Sequence, residues 1–360
     1  MEEISGLHAR PRECNLHQDC MKIAVAIMAY NEERNIGATI TSLSKQSLFS
    51  SLRHEVVVHV VPNGCRDATA ERASEAFEKF ALLHPKTKFQ VNTIEVAGKA
   101  NAWNRFVHDF SAKDADALLF LDADIQFGQP ECLIRVVESL EANSMAVVAV
   151  DLPLKDISIK GNLDIRERIS VTASQLQLAG PPKIAGSLYL ARVGAVRSFW
   201  MPLGLIVEDG FVKAMLLTDS FRKPENLEGI VRADGATHFF EAVTGFGAWF
   251  QHERRLVNGT AVNILLFGLM RQIVAKGGDP GEEIRKRNET DPEWVSKFAK
   301  NYRGLLPGAW QFISNPLKQH SQASSLHLLK TLPIGLLRAF LNIGICFVCQ
   351  LDVRAGRLRW

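Results

Sequence analysis

The chain has 360 residues, of which 47% are hydrophobic, so it can bury a large core as one domain with an appendage or as two domains. Its formal net charge of +3 is too small to predict a nucleic-acid partner, because such proteins usually carry dense basic patches. Six cysteines without a paired framework predict a reducing cytoplasm, and the polar opening residues lead us to expect no secretory signal.

The first part of the chain alternates short apolar strands with helices, after a polar segment, residues 1–21, that we interpret as a loose tail. The apolar patterns predict strands at Lys22–Ala29, Glu55–Val61, Lys88–Val96, Ala117–Leu121 and Ala146–Val150. Helices are predicted between them at Asn35–Gln46, Ala100–Phe110 and Glu131–Ala142. This alternation is typical of an α/β fold with a mostly parallel central sheet flanked by helices.

The alternation ends after Asp151. The pattern there predicts a helix at Leu163–Leu178, a strand at Gly186–Ala191, and a mainly helical region from Leu256 onward, broken at Pro307, Pro316 and Pro333. We therefore predict an α/β domain over residues 22–255 and a helical region over residues 256–360.

Asp122 and Asp124 directly follow the apolar strand that ends at Leu121. Carboxylates in this position lie where open α/β sheets bind ligands, beyond the carboxyl ends of the strands. Spaced two residues apart, both can turn toward one ion, and oxygen ligands favour Mg²⁺ or Mn²⁺ with a diphosphate as co-ligand. A solvated acidic strand end is the alternative interpretation of this pair.

Two other polar clusters follow strands in the same way, namely Tyr30-Asn31-Glu32 and Asn63-Gly64-Cys65-Arg66-Asp67. Because the carboxyl ends of parallel strands share one edge, all three clusters are expected to converge on one crevice. No Gly-x-Gly-x-x-Gly sequence and no Walker A loop follows the first strand, which argues against a dinucleotide or P-loop site.

These residues resemble a family 2 glycosyltransferase with the GT-A fold, over roughly Ile23 to Leu256. Tyr30-Asn31-Glu32 resembles the strand-one ending that frames the nucleotide in that family. The segment Pro62 to Thr69 resembles Asp-Asp-Gly-Ser-x-Asp-x-Thr, with Pro62 and Asn63 at the acidic positions and Cys65 at the serine. Lys99 matches a Gly-Lys…Asn segment near the nucleotide.

Three later motifs complete the resemblance. Asp122 and Asp124 match the Asp-x-Asp metal motif, and Glu208-Asp209 matches a Glu-Asp motif in which the aspartate is the proposed base. The segment Gln251 to Arg255 resembles the Gln-x-x-Arg-Trp box of membrane-associated members, with Arg255 in place of tryptophan.

The resemblance implies an inverting, metal-dependent transfer from a nucleotide-diphosphate sugar, with a UDP-sugar favoured, to a lipid-linked or glycan acceptor. It implies Asp209 as base with Glu208 as the next candidate, and Mg²⁺ or Mn²⁺ held by Asp124 and Asp122. The residues that it places around the donor are Tyr30, Asn31, Glu32, Asn63, Asp67, Lys99, Asp122, Gln251 and Arg254. Gly186, at the start of a predicted strand, is a further candidate substrate-binding residue that would let an acceptor approach the backbone closely; a strand start alone is the alternative interpretation. Two other functions stay open: a nucleotidyltransferase on a similar sheet, and a catalytically silent sugar-nucleotide binding or scaffold protein.

Thr331–Gln350 is apolar over about the length of a membrane-spanning helix, but Arg338 and Asn342 interrupt it. A polar stripe on an apolar helix predicts a segment that lies in the membrane interface, aided by Lys330, Arg354, Arg357 and Arg359. Val262–Val274 is a second apolar stretch. We predict peripheral contact with the inner face of the cytoplasmic membrane; burial of both helices against the catalytic domain and a true span are the alternatives.

Overall fold

The computed structural model describes residues 20–51, 53–156, 180–241, 243, 245–320 and 325–358, with the side chains of 317–334 excepted. The helix predicted at Leu163–Leu178 and nearly all of the predicted N-terminal tail lie outside these residues.

Eight strands among the described residues form one curled sheet. They are β1 (Lys22–Ala29), β2 (Glu55–Pro62), β3 (Lys88–Val91), β4 (Ala117–Asp122), β5 (Gln126–Phe127), β6 (Val148–Lys155), β7 (Leu188–Arg192) and β8 (Ile230–Phe240). The strand order is β3-β2-β1-β4-β7-β6-β8-β5. The pairs β3·β2, β2·β1, β1·β4 and β6·β8 are parallel, whereas β7 is antiparallel to both of its neighbours and β5 is antiparallel to β8. The predicted α/β sheet is therefore present, with a mixed half beyond β4.

Helices cover both faces of the sheet and fill the C-terminal part. They are α1 (Ile36–Ser44), α2 (Thr69–Leu83), α3 (Lys99–Arg105), α4 (Cys132–Ala142), α5 (Val193–Val196), α6 (Glu208–Leu217), α7 (Phe246–Ala275), α8 (Pro280–Thr290), α9 (Trp294–Lys300), α10 (Ala309–His320) and α11 (Ser325–Ala355). A π-helical turn at Phe106–Phe110 extends α3.

The sheet separates two apolar cores, as the alternation of side chains along β1 requires. Ile23, Val25 and Ile27 pack in the core beneath α1, α2 and α4. Ala24 and Ala26 face the other core, which contains Trp103 of α3, residues of α6 and the C-terminal helices. Small alanines on this face leave room for the indole of Trp103, which stacks on Phe120 and Phe199 at centroid distances of 5.8 and 5.1 Å.

Two helix breaks predicted at prolines are wrong, because Pro316 lies inside α10 and Pro333 inside α11. A proline within a helix leaves the carbonyl four residues earlier without its usual N–H donor. For Pro316 that carbonyl belongs to Phe312, and the side-chain amide of Asn342 on α11 donates to it at 3.0 Å. The neighbouring helix thus supplies the hydrogen bond that proline cannot make.

Other boundaries shift by smaller amounts. Strand β3 ends at Val91, and beyond it Ile94 forms only an isolated bridge with Asn63. Helix α7 begins at Phe246 and therefore runs through the predicted domain boundary at 255/256. The division into two domains stays a prediction.

Candidate active site

The three polar clusters predicted to converge do follow adjacent strands at one edge of the sheet. In the strand register, Ala29 lies beside Pro62, and Met28 lies beside Asp122. Tyr30, Asn63 and Ala123 are therefore the next residues at the same edge.

Hydrogen bonds fasten the loops after β1 and β2 to each other. Asn31, in the left-handed region with φ 55°, accepts a hydrogen bond from the Arg66 N–H at 2.9 Å, and its own N–H donates to Cys65 Sγ at 3.3 Å. Asp67 accepts from the N–H groups of Glu33 and Thr69, both at 3.2 Å. Cys65 therefore accepts a loop hydrogen bond, as a serine in its place would.

Asn63 connects this edge to helix α3. Its amide donates to the Ala29 carbonyl at 2.7 Å, and its oxygen accepts from the Gly98 N–H at 3.0 Å. An ionised aspartate could not donate to that carbonyl, which gives a physical reason for the departure from the family's acidic residue. Because Gly98 directly precedes α3, Asn63 holds the backbone from which Lys99 projects.

Lys99 lies at the centre of the site. Its ammonium is 2.6 Å from Asp122 Oδ1 and 2.6 Å from Glu208 Oε1, and it donates to the Gly186 carbonyl at 3.2 Å. A Cβ at position 186 would lie 2.6 Å from Glu208 Oε1, so a side chain there would displace the Glu208 carboxylate from its place beside Lys99. Residues from α3, β4, the segment before β7 and α6 thus meet at one cation.

The charges around Lys99 shift the pKa values of its neighbours. Burial raises the pKa of Asp122 to about 6; Glu208 and Asp124 act in the same direction and Lys99 opposes them. Burial would also raise the pKa of Glu208, but Lys99 outweighs it and the pKa is lowered. Burial, and then the Glu208 charge, raise the pKa of Asp209 above its usual range. Glu208 is therefore the firmly ionised partner of Lys99, and Asp209 is the more basic carboxylate.

Asp124 is half-buried, and no hydrogen bond or ion pair joins it to another side chain in the described part of the chain. It lines the same crevice as Asp122, so the crevice offers carboxylate oxygens as ligands. No group of three or more histidine, cysteine, aspartate or glutamate side chains suited to a metal ion occurs among the described residues. A cation bound here would need further ligands from a substrate.

Helices α7 and α11 form the other wall of this crevice, which has a volume of about 1170 Å³. The guanidinium of Arg254 forms a two-point ion pair with the buried Asp352 of α11, with Nε–Oδ2 at 2.6 Å and Nη2–Oδ1 at 2.7 Å. Asn258 also donates to Asp352, at 3.2 Å. Arg254, predicted to approach the donor, thus lines the crevice with much of its hydrogen-bonding capacity already used.

The structure brings eight of the predicted site residues together. Those that line the crevice are Lys99, Asp122, Asp124, Gly186, Glu208, Asp209, Gln251 and Arg254. The other five, Tyr30, Asn31, Glu32, Asn63 and Asp67, lie in the loops after β1 and β2 rather than in its lining. Glu32 lies close enough to interact electrostatically with the site. Burial raises its pKa, and the charges of Asp124 and Asp122 raise it further.

Several residues at the site were not predicted. Arg255 is exposed and lines the crevice, where its charge acts to lower the pKa values of Glu208 and Asp209 in opposition to burial. Asp352 and Ser187 also line it. Asp352 had one signal that could have found it, because it is the only acidic residue after Glu293.

Comparisons with known proteins identify the family of one segment and the fold. Residues 24–182 match the sequence model of Glycosyl transferase family 2. This segment is a family 2 glycosyltransferase domain. It contains Asn63, Lys99, Asp122 and Asp124. No curated protein matches the chain.

Among solved structures, a mannosyltransferase from Pyrobaculum calidifontis in complex with GDP-Man and Mn²⁺ has 16% sequence identity and a TM-score of 0.50, covering 89% of this chain and 86% of its own. Glucosyl-3-phosphoglycerate synthase from Mycobacterium tuberculosis, in complex with Mg²⁺ and UDP, has 17% identity and a TM-score of 0.46, covering 68% of this chain and 79% of its own. The family 2 domain and its C-terminal helices therefore share the fold of the mannosyltransferase, and the predicted GT-A fold is confirmed.

Proposed function

We propose that the chain is an inverting, metal-dependent glycosyltransferase that moves a sugar from a nucleotide-diphosphate sugar to a lipid-linked acceptor at the inner face of the cytoplasmic membrane. The observation that carries the proposal is the meeting of Lys99, Glu208 and Asp122 beside two further carboxylates, Asp124 and Asp209, in one crevice. A donor of the UDP-sugar class is favoured, and no nucleic acid is expected.

Asp122 and Asp124 fit a divalent ion such as Mg²⁺ or Mn²⁺. They present oxygen atoms only, the ligands that hard cations prefer, and Asp124 has no partner in the described part of the chain. With just two carboxylates at hand, the remaining ligands would come from the donor diphosphate. When bound, such an ion would neutralise the negative charge that grows on the leaving diphosphate.

The chain's own cations would help to stabilise the negative charge on the leaving diphosphate. Lys99 is buried among carboxylates, which raise its pKa against the effect of burial, so it stays protonated. Arg255 extends the positive charge along the wall, and Gln251 and Arg254 lie on the same helix. Lys99 and Arg254 are already held by ion pairs, so they would stabilise developing charge with little reorganisation.

Asp209 is the proposed base that takes the proton of the acceptor hydroxyl. Its raised pKa makes it a better proton acceptor than an ordinary surface aspartate. Glu208 is less suited, because its carboxylate is held by Lys99 at 2.6 Å. A single base acting opposite the leaving group corresponds to inversion at the anomeric carbon.

The α11 apolar stripe supports the membrane part of the proposal. It consists of exposed large side chains on one side of the helix, namely Leu336, Leu337, Phe340, Ile343, Phe347 and Leu351. Leu351 also lines the crevice, so the stripe leads to the site where the acceptor would react. Exposed Arg354 and Arg357 at the end of the helix would suit anionic headgroups.

The polar residues predicted to form one stripe on α11 differ in exposure. Arg338 is exposed, but Asn342 is buried against α10 and Gly335 is buried as well. Two helices, Phe246–Ala275 and Gly335–Ala355, have the length and apolar composition of a membrane span, with 44% and 39% of their most apolar windows buried inside the protein. Length and composition of this kind also occur in core helices, so we propose peripheral contact through the α11 apolar stripe. The predicted contributions of Thr331, Lys330 and Arg359 lie outside the described side chains.

A screen of nucleotide-sugar hydrolysis tests the function. Purified protein is incubated with UDP-glucose, UDP-N-acetylglucosamine, UDP-galactose and GDP-mannose, with Mg²⁺, Mn²⁺ or a chelator, and nucleotide release is measured. We expect metal-dependent release from one donor and none from a double variant, Asp124→Ala with Asp209→Asn. Donor binding without release, even with polyprenyl phosphate added as acceptor, would instead identify a silent sugar-nucleotide binding protein.

A further inference from the structure

Three hydrogen-bonded side chains run from the interior of the sheet to the wall of the crevice. Ser187 Oγ lies 2.9 Å from His238 Nε2, and His238 Nδ1 lies 2.7 Å from Asp151 Oδ2. Asp151 and His238 are almost fully buried, with 2% and 0% of their surfaces exposed. Ser187 is half-buried and lines the crevice together with Asp122 and Asp124. One end of the chain is thus sealed in the core, and the other faces the site.

Irregular strand pairing directs these side chains toward each other. Val150 pairs with Arg232 and Leu152 with Thr237, so β8 holds extra residues opposite Asp151. Bulges of this kind re-aim side chains and occur often next to active sites. On the other side, the Asp122 N–H donates to the Ser187 carbonyl at 3.0 Å, which fixes Ser187 beside the metal-motif aspartate.

The order of donors and acceptors follows from the chemistry of the three groups. An ionised carboxylate only accepts, so His238 Nδ1–H donates to Asp151. In the neutral imidazole Nε2 is then the acceptor, and it takes the hydroxyl proton of Ser187. The lone pairs of Ser187 that remain are free to accept a hydrogen bond from a group in the crevice.

We propose that Ser187 binds the sugar of the donor by accepting a hydrogen bond from one of its hydroxyl groups, and that His238 and Asp151 are positioning residues. This inference rests on the proposed glycosyltransferase function. An ionised diphosphate carries acceptors only and cannot donate to Ser187, whereas every sugar hydroxyl can. Burying a carboxylate and an imidazole costs free energy. Asp151 also accepts from the buried Cys132 thiol at 3.7 Å, and the imidazole connects it to the crevice-facing hydroxyl of Ser187.

Calorimetric binding in the presence of Mn²⁺ tests the contact. The probes are UDP-glucose, UDP-N-acetylglucosamine and GDP-mannose, their monodeoxyfluoro analogues, in which fluorine cannot donate, and UDP alone. We expect Ser187→Ala to weaken sugar-nucleotide binding by roughly 3- to 10-fold, the range of one neutral hydrogen bond. Ser187→Thr should restore it, and Ser198→Ala, on an exposed serine away from the crevice, should leave it unchanged.

The fluorinated probes identify the contact. At one sugar position, replacing the hydroxyl by fluorine should weaken binding to the wild type and to Ser187→Thr. The same replacement should not reduce the affinity of Ser187→Ala any further. Binding of UDP alone should be equal in all variants. Equal losses for UDP and the sugar nucleotides, weaker Mn²⁺ binding without nucleotide, or fluorine losses that persist in Ser187→Ala would each overturn the assignment.

Asp151→Asn tests the positioning role without touching the crevice. An asparagine amide that donates to His238 Nδ1 would move the imidazole proton to Nε2. Ser187 would then accept from His238 and direct its hydroxyl proton into the crevice, where it would be a donor in place of an acceptor. We expect Asp151→Asn to lose as much binding affinity as Ser187→Ala does, with ¹⁵N resonances of His238 showing the proton on Nε2 in place of Nδ1. Unchanged binding with the proton moved to Nε2, or lost binding with the proton still on Nδ1, would overturn it. If the wild type turns over its donor and Ser187→Ala binds the sugar nucleotides as tightly as the wild type, only this inference is rejected. If the wild type binds none of the probes, the proposed function is rejected as well.

Discussion

Arg254 of helix α7 and Asp352 of helix α11 form a two-point ion pair at 2.6 and 2.7 Å, and the side chain of Asp352 is only 3% exposed. This pair joins the helix that follows the family 2 domain to the helix that carries the apolar stripe. It also fixes the direction in which Arg254 faces the crevice. The same contact therefore bears on folding and on the proposed binding of the donor.

Asp352→Asn should lower stability by roughly 1–3 kcal/mol, because it weakens a charge-assisted bond to a partly buried guanidinium. Urea unfolding followed by tryptophan fluorescence measures this loss. Asp291→Asn is the matched control, since Asp291 pairs with Lys297 on the surface at 2.8 Å and should matter little. Equal effects in the two variants would show that the buried pair has no special role.

Asp124→Ala should abolish metal-dependent donor binding and leave the fold intact, because a half-buried loop carboxylate contributes little to the core. Calorimetry of donor binding with and without Mn²⁺ measures the effect, and circular dichroism checks the fold. Glu78→Ala, at an exposed position on α2, is the control. Full metal dependence in the Asp124 variant would exclude Asp124 as a ligand.

Asp209→Asn keeps the shape of the side chain and removes its basicity. Turnover should fall by about 10²–10⁴-fold while donor affinity survives. Steady-state kinetics with the donor identified by the hydrolysis screen measure the change, with Glu228→Gln as the control at an exposed acid beyond the same helix. If turnover persisted, the base would lie elsewhere; if donor binding were lost, Asp209 would be a positioning residue.

The pH dependence of turnover follows from the same residue. A base acts when ionised, and burial together with Glu208 raises the pKa of Asp209, so turnover should fall on acidification from a midpoint above the usual aspartate range. Removing the neighbouring charge lowers that pKa, so Glu208→Gln should shift the midpoint to lower pH. Rate profiles at saturating donor measure it, and a midpoint that stays or rises would contradict the assignment.

The α11 apolar stripe should bind anionic vesicles. The triple variant Leu337→Ser, Phe340→Ser, Phe347→Ser should lose most of the binding to vesicles. High salt should release part of the wild-type protein, since each flanking cation contributes about 1 kcal/mol near an anionic surface. Flotation at low and high salt measures both effects. Serine at Leu82 and Leu83, two exposed leucines on α2, is the matched control.

The three outcomes of flotation differ clearly. A wild-type chain that never floats would reject the membrane contact. One that resists both salt and alkaline carbonate would span the bilayer instead of lying on it. Release by salt and by the serine variant, but not by the control, supports the peripheral contact.

Local patterns predicted those parts of the fold that depend on neighbouring residues. The apolar run of β1 and the strand end at Asp122 were enough to place the crevice at one sheet edge. The contact of Lys99 with Glu208 joins residues far apart in sequence, and no local periodicity encodes it. The helix through Pro316 was missed for the same reason, because its compensating donor, Asn342, comes from another helix.

The amide of Asn342 has a consequence for how the molecule meets a surface. The carbonyl of Phe312 that it satisfies faces one direction, and Asp352 further along α11 holds the same side of that helix toward the protein. A helix secured at two levels of its length resists rolling about its axis. Phe340 and Phe347 therefore point outward before any bilayer is met, and the proposed membrane contact would occur with a single preset tilt.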